Sequence, residues 1–464
     1  MTLTETASHT RTATLPQAMA EAVALQRQGR LQEAATIYAA VLAADGNHVD
    51  ALRNLSIVRR QERKFDEAIV LIRRAIAVAP NWAEAHDQLG NILQALNRPA
   101  EAIDWHQRAI ALRPDYVEAY NNLGIALAAL HRPADAIVQY EKALVLKPDY
   151  AEVHYNESIA RLGLGDFAAG WKKYEWRWER ANSQQQRRNF SQPLWLGEAN
   201  LAGRTILLHA DQGLGCSLQF IRYLPLVARR GGKAVVEVQR PLVPLLAGLR
   251  DASAVVARGD RLPDFDCHCP LLSLPLAFNT TMATIPADVP YLAAPAPEIA
   301  RWRALLPRDG APLVGLAWAG NPGHANDHNR SVALRRLLPL LRMPGIRFVS
   351  LTHELRADDA QLLDPANVLR IGEQVANFAD TAAVAACLDV VITVDTAIAH
   401  LAGALGKPTW VLLPFSPDWR WFLDRADSPF YPTARLFRQP AADDWESVVA
   451  QVGDALNALP QRAR

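Results

Sequence analysis

Cysteine is scarce in this chain of 464 residues, which carries only Cys216, Cys267, Cys269 and Cys387. Thiols so few and so scattered build no disulfide framework in a protein this large, and they are expected to be reduced. Charge of one sign is lacking as well: 49 Lys and Arg stand against 48 Asp and Glu, a formal net charge of +1. With no global field, neither nucleic acid nor an anionic lipid surface is an expected partner. No apolar run approaches the roughly 18 residues of a membrane span, and Met1 to Arg30 holds no signal-like apolar segment, so a cytoplasmic location is expected. Metal-ligand spacing is also missing. Cys267, His268 and Cys269 are one residue too close to match the gaps that close on zinc, and Asp264, Phe265 and Asp266 form a short D-x-D string better read as a loop or strand end. No metal and no resident cofactor are expected.

What the chain does have is a period. Ala34, Ala68, Ala102 and Ala136 advance by 34 residues, as do Pro80, Pro114 and Pro148. Leu55, Leu89 and Leu123 hold one apolar position of a first helix, with Gly90 and Gly124 following where helices cross closely. Val41, Ala75, Ala109 and Ala143 repeat a small residue in a second helix, and each Pro closes that helix because it lacks an N–H. Gly46 replaces the Pro in the first unit, and Glu157 replaces the Leu in a degenerate fifth unit that ends near Trp178. The pattern resembles tetratricopeptide repeats, pairs of antiparallel helices that bury their apolar faces only against neighbouring pairs. An α solenoid of about five units is expected over residues 15–180. Within it Asn54, Gln88, Asn122 and Asn156 place one amide per repeat at the same position of the first helix. Such a row supplies a donor and an acceptor at every step and suits the backbone of an extended acceptor polypeptide. Bonding of each amide within its own repeat is the alternative.

Beyond residue 200 the text alternates. Thr205 to His209 is a short apolar run followed by Gly213 and Gly215, a helical pattern from Leu218 to Ala228, and a second run from Ala234 to Val238. Strand, glycine-rich turn, helix, strand demands a parallel sheet, with the turn at the carboxyl end where α/β sheets bind ligands. A first lobe is expected over 200–305. A second, over 311–460, is built on runs at Leu313 to Trp318, Phe348 to Leu351, Val368 to Ile371, Val390 to Val394 and Thr409 to Leu413. Two Rossmann-like lobes in tandem are the GT-B arrangement of nucleotide-sugar glycosyltransferases, although alternation alone admits other doubly wound enzymes.

The stretch Val394, Asp395, Thr396, Ala397, Ile398, Ala399, His400 narrows this, because it resembles the donor-site signature of the heptosyltransferase-like glycosyltransferases. Fused to the repeats, the layout is similar to bacterial fusions of that family and, more distantly, to protein O-linked N-acetylglucosamine transferases. The resemblance implies a metal-independent transferase whose Asp395, Thr396 and His400 face the diphosphate and sugar of a nucleotide-sugar donor. Asp395 and Thr396 also fit ordinary helix capping. Trp318, Asn321, Arg330 and Ser331 belong to a polar loop after a strand, where Arg330 is suited to neutralise a leaving diphosphate or, on the plainer reading, sits in solvent. Gly213 and Gly215 are assigned to the donor side as well. Trp419 and Trp421, flanking Arg420, stack on a ligand or pack the lobe's edge. Asp380 matches a recurrent family position but fits a helix cap.

The family usually carries Asp where this chain has Cys216, a thiol that is a poor general base. Asp211 is the expected base, with His209 second. The expected function is sugar transfer from a nucleotide donor to a polypeptide recruited by the repeats, for which the bacterial fusions suggest flagellin or another bacterial protein. Transfer to a glycan or lipid-linked acceptor is one alternative. A catalytically inactive interaction scaffold is the other.

Overall fold

The computed structural model describes residues 14–181, 187–307, 309–324, 326–353, 355–356, 358–363 and 368–459. The expected end of the second lobe at residue 460 lies just outside them. The chain divides into two compact units, with limits 1–156 and 157–464.

The first unit is the repeat array. Its helices are α1 (Leu15–Arg27), α2 (Leu31–Ala44), α3 (Val49–Gln61), α4 (Phe65–Val78), α5 (Ala83–Ala95), α6 (Pro99–Leu112), α7 (Val117–Ala129) and α8 (Pro133–Leu146). The alanines at 34, 68, 102 and 136 are fully buried, as are those at 75, 109 and 143. Small size at these positions sets how near the axes come. At Gly124 a Cβ would stand 2.3 Å from the Tyr140 ring, and at Gly90 2.5 Å from the His106 ring, so each glycine is fixed by the large ring crossing it.

The turn inside each pair repeats too. Gly29, Arg63, Asn97 and His131 all have φ between 58° and 77°, and the next N–H reaches back to the last helical turn, as from Lys64 to Arg59 at 2.8 Å and from Arg132 to Leu127 at 3.0 Å. This is a helix C-terminal motif that favours glycine, although only the first of these four is one.

Helix α9 (Ala151–Gly163) contains the boundary between the units. Glu157, the residue that breaks the apolar pattern, is fully buried and paired with Arg161 at 2.6 Å and Lys173 at 2.8 Å. Helix α10 (Phe167–Tyr174) and a 3-10 turn at Glu175–Trp178 follow it in the second unit.

The second unit holds two parallel sheets. The first contains β1 (Thr205–His209), β2 (Lys233–Val238), β3 (Ala252–Ala257) and β4 (Cys267–Pro270) in the order β3-β2-β1-β4. Between these strands lie α11 (Leu214–Phe220), α12 (Leu224–Arg229) and α13 (Val243–Leu246), and α14 (Leu274–Ala277) and α15 (Ala296–Leu305) come after.

The second sheet contains β5 (Leu313–Ala317), β6 (Arg347–Ser350), β7 (Val368–Arg370), β8 (Val390–Val394), β9 (Thr409–Leu413) and β10 (Ala434–Arg438) in the order β10-β9-β8-β5-β6-β7. Its helices are α16 (Asp327–Arg330), α17 (Leu334–Leu341), α18 (Asp359–Leu362), α19 (Phe378–Cys387), α20 (Ala397–Ala404) and α21 (Trp445–Asn457). The five residues of β5, β8 and β9 are all buried, as continuous apolar runs in a sheet covered on both faces must be. Counted from β5, the order is that of a doubly wound dinucleotide fold, and it reverses between β5 and β8. Among the described residues no helix is long and apolar enough to cross a membrane.

Candidate functional site

Open α/β sheets bind ligands outside the carboxyl ends of their strands, where the strand order reverses. In the six-stranded sheet that point lies between the loops after β5 and β8. Arg330 joins them: its Nη1 donates to the Asp395 carbonyl at 3.0 Å, and its guanidinium lies so close to Gly320 that a Cβ there would be 2.5 Å from Nη2. Arg330 Nε is buried without an acceptor, its nearest carboxylate oxygen being Asp327 Oδ1 at 3.8 Å. Ser331 ties the same loop, donating to Asp327 Oδ1 at 2.6 Å and accepting from Gly320 N at 3.1 Å. Asn321 accepts from Gly323 N at 2.8 Å, at an exposed turn.

Thr396 caps α20 by accepting from Ile398 N at 3.2 Å. Asp395, half-buried just ahead of it, has its carboxyl pushed up to about 6, first by burial and then by the charge of Asp418. His400 is buried, with Nδ1 2.9 Å from the Tyr431 hydroxyl and its ring stacked on Trp421 at 5.6 Å. Burial, with Arg420 and Arg222 adding to it, holds its pKa well below the ordinary value, so it is neutral.

Several expected site residues have other work. Trp318 is fully buried in the core of the second sheet, where its indole N–H donates to Asp359 Oδ2 at 2.8 Å. It therefore faces no ligand, because the apolar pattern that made it the last residue of a run also carries it inside. Trp419 and Trp421 are buried too; Trp419 meets Trp171 edge-on at 5.2 Å, so both serve packing. Asp380 bonds Arg301 and accepts from Ala376 N at 2.9 Å.

Gly213 precedes α11 as its cap residue. Gly215 lies against the other lobe: a Cβ there would be 2.7 Å from His400 Cδ2 and 3.4 Å from Ala397 Cα. The glycine of the first loop therefore serves a close helix crossing between α11 and α20.

The first sheet reverses order between β1 and β4, and that point is filled from outside the sheet. Arg177, in the turn at Glu175–Trp178, donates through Nη2 to Asp211 Oδ2 at 3.0 Å, after β1, and to Ser273 Oγ at 2.7 Å, after β4. Its Nη1 donates to Glu175 Oε1 at 2.6 Å. Burial opposes the charge of Arg177, but Glu175 and Asp211 outweigh it. Asp211 is itself buried, which raises its carboxyl against the pull of Arg177, and its Oδ1 is buried without a partner. His209 is buried beside His268, at 3.2 Å, and burial lowers it to about 3. Neither expected base is placed to meet an acceptor hydroxyl: one is clamped by an arginine and the other is sealed in the sheet.

The groups that sequence reasoning passed over are arginines. Arg420 donates from Nε to Gln219 Oε1 at 2.7 Å, from Nη1 to Asp418 Oδ1 at 2.9 Å and from Nη2 to the Cys216 sulfur at 3.3 Å. Arg222 answers from the first lobe with a bond to the Phe430 carbonyl at 2.7 Å. Cys216 thus occupies a place beside a buried guanidinium, where burial nevertheless keeps the thiol protonated. Nothing local marks the partners of these arginines. Arg420 lies 201 positions from Gln219 in the chain.

The amide row of the first unit is largely committed to its own neighbours. Asn122 Nδ2 donates to both oxygens of Asp87 at 3.1 Å, and Asn156 Nδ2 to Asn121 Oδ1 at 2.8 Å. Asn54 accepts from Arg53 at 3.1 Å, whereas Gln88 is buried with Nε2 unpartnered. Two of the four, Asn122 and Asn156, thus bond from one repeat to the next and act as a brace. Among the described residues no group of three or more His, Cys, Asp or Glu is placed to hold a metal ion.

A tetratricopeptide repeat family model matches residues 49–115 and 82–149, so the first unit is an array of such repeats. Among characterised proteins the chain is similar to Protein FlbA of Caulobacter vibrioides (strain ATCC 19089 / CIP 103742 / CB 15), with 27% identity over 322 residues. The match covers 64% of this chain and 53% of that protein, so the chain spans about half the length of the relative it matches. Solved structures similar to it include MamA, with 26% identity over 36% of this chain and 97% of that one at a TM-score of 0.31. Another is TTC0263, a thermophilic TPR protein in Thermus thermophilus, with 18% identity over 37% and 94% and a TM-score of 0.35.

Proposed function

We propose that the chain is a metal-independent glycosyltransferase of GT-B architecture, transferring a sugar from a nucleotide donor to a polypeptide recruited by the repeats. The observation that carries this reading is the meeting of Arg330, Asp395 and the start of α20 at the reversal point of the six-stranded sheet. Arg330 brings a positive charge with an unsatisfied N–H, and the first turn of α20 adds the positive end of a helix; together they suit a diphosphate as it leaves. Proton removal from the acceptor falls to another group than Asp211 or His209. Asp395, half-buried and raised to about 6, exchanges a proton near neutral pH.

One observation favours the inactive scaffold as the second reading. The family's usual carboxylate is replaced by Cys216, which here contacts Arg420. A thermal-shift panel of nucleoside diphosphates and nucleotide sugars on the full chain separates the two. A donor at about 100 times its Kd adds about 2.7 kcal/mol to the state that binds it. A clear upward shift that Arg330→Ala removes is the expected result; no shift with any nucleotide leaves the scaffold.

A further inference from the structure

Helix α10 turns one aromatic face toward both lobes of the α/β unit. Phe167, Trp171 and Tyr174, at positions i, i+4 and i+7, are all buried on it. Trp171 meets Phe220 of α11, in the first lobe, edge-on at 6.1 Å, and Trp419, in the second, at 5.2 Å. Phe167 packs on Phe422 at 6.1 Å and on Phe430 at 6.3 Å, both in the second lobe. The turn that follows α10 then fastens to the first lobe through Arg177, a buried cation that the proposed chemistry leaves unused.

The segment that α10 meets is under constraint. Phe422 has φ of 56°, a left-handed conformation that a bulky side chain adopts only when its surroundings impose it. Arg438, at the end of β10, donates to the carbonyls of Trp421, of Phe422 at 3.0 Å and of Arg425 at 2.8 Å. A backbone held by three bonds to one guanidinium, with α10 packed on its rings, does not move alone. From α10 a line of bonds also enters the candidate site. Gln212 Nε2 donates to the Tyr174 hydroxyl at 2.7 Å, the Cys216 thiol to Gln212 Oε1 at 3.5 Å, and Arg420 Nη2 to the Cys216 sulfur at 3.3 Å. The Gln212 carbonyl is meanwhile fixed by Gln239 Nε2, which donates to it at 2.5 Å.

We propose that α10 is a strap across the cleft between the lobes, and that Tyr174 and Gln212 are positioning residues that set Cys216 and Arg420 within it. Opening the cleft then requires α10 to leave Trp419 or Phe220, and the same departure releases Gln212 and with it the guanidinium. This rests on the proposed function only in taking that cleft as the place of the donor. No nucleotide enters the test, so a failed transferase and a failed strap are told apart.

The test is alkylation of the full chain with iodoacetamide, followed by mass mapping of the labelled cysteines. Cys216 reports on the line of bonds, and Cys387, also partly exposed but on α19, is the internal reference. Tyr174→Phe keeps the ring and removes the hydroxyl; it should raise Cys216 labelling about fivefold, the size of one lost hydrogen bond, and leave Cys387 unchanged. Gln212→Ala should do the same, and the two together should do no more than Gln212→Ala alone, because both cut one line. Tyr38→Phe, which removes a hydroxyl bonded to Gln26 at 2.8 Å in the repeat array, should leave Cys216 as it is. Unchanged Cys216 labelling in Tyr174→Phe and Gln212→Ala overturns the inference, as do effects of the two that simply add. So does an equal rise at Cys387 or in Tyr38→Phe. Should the variants unfold, native-state hydrogen exchange on the unaltered chain decides: α10 and Trp419–Phe422 should open as one unit, and α10 opening while that turn stays protected sinks the strap.

Discussion

The repeat array and the α/β unit solve the same problem, burying apolar surface, with opposite uses of chain distance. In the array each helix meets its sequence neighbours, and a position such as Ala102 is buried for the same reason as Ala68 and Ala136. The partners of a polar group buried there lie within about one repeat, as those of Asp87 do at His106 and Asn122. In the α/β unit the decisive bonds span large distances in the chain. Arg177 reaches Ser273 across 96 positions, and Arg222 reaches Phe430 across 208. Errors in the first unit should therefore be local and small, and errors in the second should be large, because one side chain holds several loops at once.

Arg177→Ala gives this contrast its strongest trial. Its loss leaves the buried Asp211 and the partly buried Glu175 without their cation, and removing one partner of a buried pair such as Arg177–Asp211 costs about 3–5 kcal/mol. Denaturant unfolding of the α/β unit should show that loss, and a change below about 1 kcal/mol would mean that the clamp is not formed.

Next in size is a pH effect at Asp395. Its carboxyl is raised in the fold, so charging it costs stability above about pH 6, and the cost is relieved as pH falls toward the unfolded value near about 3.9. Asp395→Asn removes that charge. The variant should gain about 3 kcal/mol over the native chain at about pH 8 and nothing by about pH 3, read from melting curves across that range. A gain independent of pH would show that burial and Asp418 do not govern this group.

The smallest effect belongs to the array and has the opposite sign from most substitutions. His131 has φ of 60°, a left-handed conformation that glycine adopts without strain. His131→Gly should stabilise the array by about 0.5–1 kcal/mol, measurable as a rise in Tm. A fall would sharpen the comparison differently, by showing that the His131 side chain holds more than its backbone gives up.

Legibility follows the same division. The strands at Val390–Val394 and Thr409–Leu413 are readable because buried parallel strands are unbroken apolar runs. The strands Ala252–Ala257, Cys267–Pro270 and Ala434–Arg438 escape such a reading. The first is only partly buried, the second is short and holds a histidine, and the third alternates with Arg435 exposed. At the candidate site Asp395, Thr396, Arg330 and Ser331 are brought to one edge of the sheet, as the loop positions indicate. Trp318 is not, because a residue closing a buried run belongs to the core. Asp211 reads as available in the sequence because nothing near it announces Arg177.

By itself the sequence determined the repeat array. A period of 34 with small residues in step dictates helix pairs that stack on their own neighbours, and local contacts are written locally. It also determined that an α/β region follows, through apolar runs alternating with helical patterns. Only the tertiary structure decided the order of the sheets, the pairing of Arg177 with Asp211 and of Arg420 with Cys216, and the line of bonds that joins Tyr174 to Arg420. Those depend on where distant segments come to rest, and the energy of burying a charge is fixed by the partner it meets there.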